Sequence, residues 1–369
     1  MRVVFFAHSL LSDWNHGNAH FLRGIVRELG GRGHDVSVYE PRDSWSLSNL
    51  LVDRPDALER FAEAYPDLAS TRYDLPTLDL DGVLDRADLV LVHEWNEPEL
   101  VRRVGEARAT GGRFGLLFHD THHRAATAPE EMERYELQSY DGVLAFGEVL
   151  RELYLERGWA ERAWTWHEAA DTTVFRPLPH VGECRELVWI GNWGDGERTG
   201  ELREFLTVPA DRLELRGTVH GVRYPPAARA ELAACGLAYR GWLPNYEAPA
   251  AFARHRVTVH VPRRPYVRAL PGIPTIRPFE ALACGIPLVS APWEDAEGLF
   301  RPGVDHLVAR DGAEMTALLR EVLADDELAG GLAAAGLETI RSRHTCAHRV
   351  DELLAVAAQL RPVPAEAPA

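Results

Sequence analysis

The feature that most constrains this chain is an alternation that runs along it twice. Short, continuously apolar runs are each followed by a stretch with helical spacing. "RVVFFA" (2–7) is the first such run, the pattern of a strand covered on both faces. A polar loop, "HSLLSDWNHGN", follows, and then "AHFLRGIVRELG" places Phe21, Leu22, Ile25, Val26 and Leu29 on one helical face, closed by Gly30 and Gly31. "HDVSVYEP" is a second strand; residues 43–75 are polar and irregular and predict one helix and a loop. The rhythm resumes with "ADLVLVHEW", a helix near 97–110, "RFGLLFHDTHHR" and "DGVLAFGEVLRELYLERG". Strand, helix, strand in this order requires crossover connections and a parallel sheet. Ligands of such sheets bind beyond the carboxyl ends of the strands, where this chain carries His8, His93–Glu94 and His119–Asp120.

A second unit of the same kind starts after "FRPLPHVGECRE" (175–186), whose two prolines mark a linker. "ELVWIGNWGDGER", "DRLELRGTVHG", "LAYRGWLPN", "RVTVHVPR" and "IPLVSAP" predict its strands, and helices are expected near 313–324, 326–342 and 347–360. A length of 369 residues suits two domains. The expected division is 1–178, 179–345, a helix at 346–362 returning to the first domain, and a disordered tail at 363–369. The fold class is therefore α/β, with two doubly wound parallel sheets facing each other across a cleft, an arrangement that holds two substrates and expels water on closing.

Composition narrows the chemistry. A net charge of −16 argues against a nucleic-acid partner. All 40 basic residues are arginine, which excludes a Schiff-base lysine and a phosphate-loop lysine and leaves any phosphate clamp to guanidinium groups. Cysteines 184, 235, 284 and 346 have no C-x-x-C spacing and are read as reduced, in a cytoplasmic protein. The first apolar run is too short for a signal peptide, and no run approaches a membrane span.

In "IPTIRPFEALACGIPLVS" (273–290) a helix is expected to begin near Pro278 and stop at Gly285, with Glu280 in its first turn beside Arg277. A carboxylate there among Phe279, Leu282 and Ala283 is either an exposed acid paired with Arg277 or a group that holds a ligand. The wider pattern favours the ligand. "DGVLAFGEVLREL", "HEAADTTVFRPLP" (167–179), "GWLPNYEAPAAFARHRVTVHVPR", "RPFEALACGIPLVS" and "RHTCAHRVDELL" stand in the order found in glycosyltransferases with two Rossmann-like domains, the GT-B type. Over nearly its whole length the chain resembles that family, in its group 1 or family 4 branch, most of all the spore-maturation-protein-like subgroup.

The resemblance implies transfer of a sugar from a nucleotide sugar, a UDP-sugar above all, held by the second domain, to a sugar, lipid-linked glycan or small molecule held by the first. It implies retention of configuration, no resident cofactor, and no metal. It also implies a cytoplasmic protein, with peripheral association at the inner membrane left open. Glu280 would accept the two ribose hydroxyls, steadied by Arg277. Gly272, Pro274, Thr275 and Ile276 would bring a helix N-terminus to the diphosphate or donor sugar. Many members carry a glutamate at the Gly272 position, and this chain does not. Gly191, Asn192, Trp193 and Arg198 would form the phosphate loop, with Arg263 or Arg264 in place of the family's lysine; a plain turn with a solvated Arg198 is the alternative. Trp242 and Leu243 would meet the base, unless Trp242 is a packed interface residue. His119 and Asp120 are the catalytic candidates, His119 being otherwise a strand-end histidine bonded to backbone. His93, Glu94, Gly17 and His20 would line the cleft, the last two near the donor phosphates. "HDTHHR" (119–124) raises a metal site, but adjacent His122 and His123 diverge, which argues against one. Two rivals remain: an epimerase or hydrolase of nucleotide sugars on the same architecture, and a non-catalytic nucleotide-sugar-binding protein.

Overall fold

Strand β1 (Arg2–Phe6) is buried from Val3 onward because it lies between two parallel neighbours, β2 (Asp35–Pro41) and β4 (Leu89–His93). The computed structural model that shows this describes residues 1–180, 182–194 and 196–360. With β3 (Thr71–Tyr73), β5 (Gly115–Asp120), β6 (Gly142–Ala145) and β7 (Ala163–Thr165), these strands form a sheet in the order β3-β2-β1-β4-β5-β6-β7. The second sheet contains β8 (Arg185–Ile190), β9 (Gly217–His220), β10 (Leu237–Tyr239), β11 (His255–His260), β12 (Leu288–Ser290) and β13 (Leu307–Val308), in the order β10-β9-β8-β11-β12-β13. Every strand pair is parallel. The strand order reverses direction beside β1 in one sheet and beside β8 in the other. Those two switch points open the crevices in which ligands of doubly wound sheets bind.

The region 43–75 departs from the expectation of one helix and a loop. It holds two helices, Trp45–Asp53 and Ala57–Ala64, and then β3. Ser44 starts the first of these by accepting the Leu47 N–H. Phe61 and Tyr65 then bury against the first-domain core. The helix expected from Pro278 spans Ile276–Ala283, so Glu280 stands in its second turn and the first turn holds no acid. Its end is as expected: Gly285 adopts φ +66°, a conformation suited to glycine after a helix C-terminus.

The two lobes share one apolar core. Phe21, Ile25 and Leu29 of the helix Asn18–Gly31 belong to the same buried cluster as Phe175 of the linker, Phe279 and Leu282 of the Ile276–Ala283 helix, and Val350 and Leu353 near the end of the chain. The last helix, Cys346–Leu360, returns to the first sheet. The Trp166 indole donates to the Arg349 carbonyl at 2.8 Å, and Arg32 pairs with Asp351 at 2.5 Å. The tail expected to be disordered, 363–369, lies outside the described residues.

Candidate active site

Between the lobes lies an open cavity of about 440 Å³. Its second-domain side is built from the loops after β8 and β11 and the start of the Ile276–Ala283 helix: Gly191, Asn192, Arg198, Arg263, Thr275, Ile276 and Arg277. Its first-domain side is built from the loops after β1, β4 and β5: His16, Gly17, Trp95, Thr121 and His122, with Trp45 beside them. The loop after β1 is pinned by Glu40, a buried carboxylate that accepts the Ser9 hydroxyl at 3.1 Å and the Leu10 and Leu11 N–H groups at 2.5 and 3.3 Å. Gly17 meets the other lobe directly: a Cβ there would lie 3.1 Å from Ile276 Cγ2.

Glu280 lies beneath this cavity, wholly buried. One carboxylate oxygen binds the Arg277 guanidinium, which lines the cavity. The other is 2.9 Å from His20 Nδ1. His20 Nε2 accepts the Asp171 N–H at 2.8 Å, so that nitrogen carries no proton. The imidazole proton therefore sits on Nδ1 and is donated to Glu280. The ring is also stacked on Phe175, with centroids 3.9 Å apart. His20 thus reaches the ribose-binding candidate rather than the donor phosphates.

The second-domain wall is cationic. Arg198 is buried and donates to the carbonyls of Val261 and Asn192; among the described residues it has no acidic ion-pair partner. Burial, reinforced by Arg263, pushes its pKa down to about 9. A guanidinium placed so gains from any anion that enters. Arg263 stands 3.4 Å from Glu197. Arg264 does not line the cavity and is paired with Glu201. Thr275, just before the helix, holds φ +61°, a strained value for a β-branched residue and of the kind that gathers at functional sites.

The first-domain wall is aromatic. Trp45 and Trp95 are half-buried, with ring centroids 6.2 Å apart, and His122 lies edge-on to Trp95 at 5.0 Å. Arg124 lies over the Trp95 ring at 4.0 Å, and its charge is paired with Glu94. Behind this wall His8, His16, His93 and His119 surround a cavity of about 20 Å³, room for roughly one water. Burial pushes His8 down to about 4 and His119 to about 3, so both are neutral.

Several expected site residues stand elsewhere. Asp120 is buried, accepting the Tyr154 hydroxyl at 2.8 Å and the His122 N–H at 2.9 Å; it braces the end of β5 and does not face the cavity. His119 and His93 line the small inner cavity rather than the cleft, with His93 Nε2 3.0 Å from Thr121 Oγ1. Glu94 is sealed behind Trp95. Trp193 packs on Tyr224 in the second-domain core. Trp242 donates to Asp13 at 2.9 Å and, with Leu243, borders a separate recess, so it is an interface tryptophan. Pro274 does not line the cleft. Gly272 holds φ +89°, and a Cβ there would lie 2.8 Å from Glu297 Oε1. Glu297 itself accepts the Glu148 N–H at 2.9 Å and pairs with His167 at 2.9 Å, tying the lobes together. No side chain fits at 272, and a carboxylate from another loop fills that space. Sequence reading missed Trp45, Trp95, His16, Tyr266 and Glu168, all on the cavity wall. Glu168 carried one clue, its place within the motif 167–179.

Residues 198–355 match the family described as Glycosyl transferase-like. No curated protein sequence matches the chain. Among solved structures, the sucrose-phosphate synthase of Thermosynechococcus elongatus is similar at 14% identity and TM-score 0.64, covering 98% of this chain and 99% of its own. Anabaena HepE, in complex with UDP-glucose, is similar at 14% identity and TM-score 0.65, covering 96% and 100%. A glycosyltransferase from Rickettsia africae gives 10% identity and TM-score 0.67, covering 97% and 98%. Residues 198–355 thus carry a glycosyltransferase-like domain, and the two facing parallel sheets of the chain have the GT-B fold of these structures.

Proposed function

We propose that this protein transfers a sugar from a nucleoside diphosphate sugar, with uridine as the base, to an acceptor bound on the first domain. One observation carries the reading: a fully buried carboxylate, Glu280, lies directly under a cavity wall that presents Arg198, Arg263 and Arg277. An entering ribose takes the Arg277 position on Glu280, whose oxygen accepts a hydroxyl there, and the lost ion pair is replaced by the one Arg277 makes with the anionic diphosphate. Arg277, released, turns to the diphosphate beside Arg198. The structure with UDP-glucose of HepE, which shares the fold, supports the choice of base.

Breaking the bond between sugar and phosphate leaves negative charge on the leaving diphosphate. Guanidinium groups already in place at that point lower the barrier without a metal ion. We assign retention of configuration on the same basis as the family 4 likeness. The acceptor rests on Trp45 and Trp95, whose faces suit the CH side of a saccharide ring, with His122 edge-on to Trp95 beside them. Arg124 is bound to Glu94, so this wall offers no unpaired arginine to an acidic acceptor.

A thermal-shift screen of UDP, GDP, ADP and dTDP sugars tests the donor site, because a ligand of the folded state raises the melting temperature with the logarithm of its excess. Mass analysis of products with and without saccharide acceptors then separates transfer from hydrolysis, epimerisation or binding alone. A protein stabilised by no diphosphate sugar contradicts the reading.

A further inference from the structure

Among the described residues Glu168 is the one carboxyl group that lines the cavity, and the mechanism above does not use it. It is more than nine-tenths buried, in a linker segment between the lobes. Asn18 Nδ2, at the start of the first helix, donates to Oε1 at 3.3 Å. Among the described residues Oε2 has no hydrogen bond, yet it is not sealed off as a buried orphan atom. The charged and titratable groups facing Glu168 are Glu280 and Arg277 of the donor helix and Tyr266 of the helix Arg264–Ala269. A buried carboxyl group with one open oxygen is costly unless something binds there.

Burial and the neighbouring Glu280 push its pKa up to about 8, so near neutral pH it is mainly a neutral acid, able to donate and accept. Phosphate oxygens are poor partners for it beside an arginine wall that suits them better. Sugar hydroxyls, which also donate and accept, are the matching chemistry. Ribose has Glu280 and the diphosphate has the arginines, which leaves the hexose of the donor.

We propose that Glu168, positioned by Asn18, hydrogen-bonds the hydroxyls of the transferred sugar and so distinguishes the nucleotide sugar from the bare nucleotide. The inference rests on the donor-site reading above. It differs from it in assigning sugar recognition to a linker residue rather than to the loop around Gly272, where no side chain fits.

The test is calorimetric titration of the full-length protein with UDP and with UDP-glucose, for wild type, Glu168→Ala and Glu168→Gln. The expected result is UDP affinity unchanged within about twofold in both variants, and UDP-glucose affinity about tenfold weaker in Glu168→Ala, the loss of one well-made hydrogen bond. Glu168→Gln keeps a donor and an acceptor in the same volume and should stay within about threefold of wild type. Retained UDP binding also shows that each variant is folded. Equal losses for both ligands, or none for either, overturn the assignment while leaving the donor site standing. A change confined to the KM of a saccharide acceptor overturns it too. Wild type that binds neither ligand sinks the donor-site reading, and the role of Glu168 with it.

Discussion

His20 and Glu280, 260 residues apart, meet at 2.9 Å through a proton that the tautomer of His20 fixes on Nδ1. The contact joins the first helix of one lobe to the helix Ile276–Ala283 of the other. Removing the carboxylate strands a buried imidazole N–H and leaves Arg277 unpaired. We expect Glu280→Ala to lower unfolding free energy by about 1–3 kcal/mol and to abolish measurable binding of UDP. Glu280→Gln, which still accepts from His20, should recover most of the stability but not the binding. Urea denaturation and calorimetry check the two halves separately. An unchanged urea midpoint in Glu280→Ala would show that the buried contact contributes nothing.

Arg198 tests the cationic wall. Its guanidinium has carbonyl partners and, among the described residues, no acidic one, so its charge is available to a diphosphate. Arg198→Gln should weaken UDP by about 1.5–3 kcal/mol, the range for hydrogen bonds to charged groups, and uridine hardly at all. The comparison of UDP with uridine is the measurement. Equal weakening of both would place Arg198 in a supporting role for the loop.

What the sequence discloses here is mostly periodic, and what it hides is mostly pairwise. β1, β4 and β5 are legible because parallel strands covered on both faces must be continuously apolar. β7, at three residues, and β13, at two, are too short to have a period, and they form because a sheet edge already exists beside them. Glu280 and Arg277 stand out from a local motif. That His20 would stack on Phe175 and bond Glu280 depends on how the two lobes meet, which no local pattern encodes. His119 and Asp120 were reasonable candidates at the end of β5, yet the fold points one into a small inner cavity and uses the other to hold Tyr154. Trp45 and Trp95 reach the cleft from a helix expected only loosely and from a strand end where attention fell on the polar neighbours.

The buried histidines make a pH prediction. Burial holds His8 near 4 and His119, His260 and His344 near 3, whereas in the unfolded chain they titrate near 6.5. Below pH 6.5 the unfolded state therefore binds more protons, and stability falls as pH falls. Each such histidine contributes a slope of about 1.4 kcal/mol per pH unit between 6.5 and its folded pKa. Glu168 and Glu94, raised to about 8, and Asp120, raised to about 6, act with the opposite sign from those values down to the ordinary carboxylate range and offset part of this slope, whereas His123 and His220, held near 4 by burial, add to it. Urea melts at pH 7, 6 and 5 should show a steep loss of stability toward acid. His119→Asn should reduce that slope by about 1.4 kcal/mol per unit. A stability curve flat from pH 7 to 5 contradicts the neutral histidine cluster.

Gly24 tests how the end of the chain is fastened to the first lobe. It lies on the helix Asn18–Gly31 with Cys346, the first residue of the last helix, against it. A Cβ at this position would overlap Cys346 Sγ and lie 2.8 Å from Asp171 Cβ. Neither neighbour has room to yield, since both are buried. Gly24→Ala is a favourable change for an isolated helix, worth up to about 1 kcal/mol. Overpacking a filled core costs about 1–3 kcal/mol, so the net effect should be destabilising. Cys346→Gly removes both the sulfur and its Cβ, although it adds a flexible residue at the helix start. Combined with Gly24→Ala it should therefore restore part of the loss, with a coupling energy of about 1 kcal/mol or more in a double-mutant cycle. The remaining contact with Asp171 keeps the rescue partial. The same residue carries the backbone N–H that His20 accepts, so Gly24→Ala should also weaken UDP binding through a shifted His20. Additive effects of the two substitutions would mean that the last helix is not packed on the first as the structure shows.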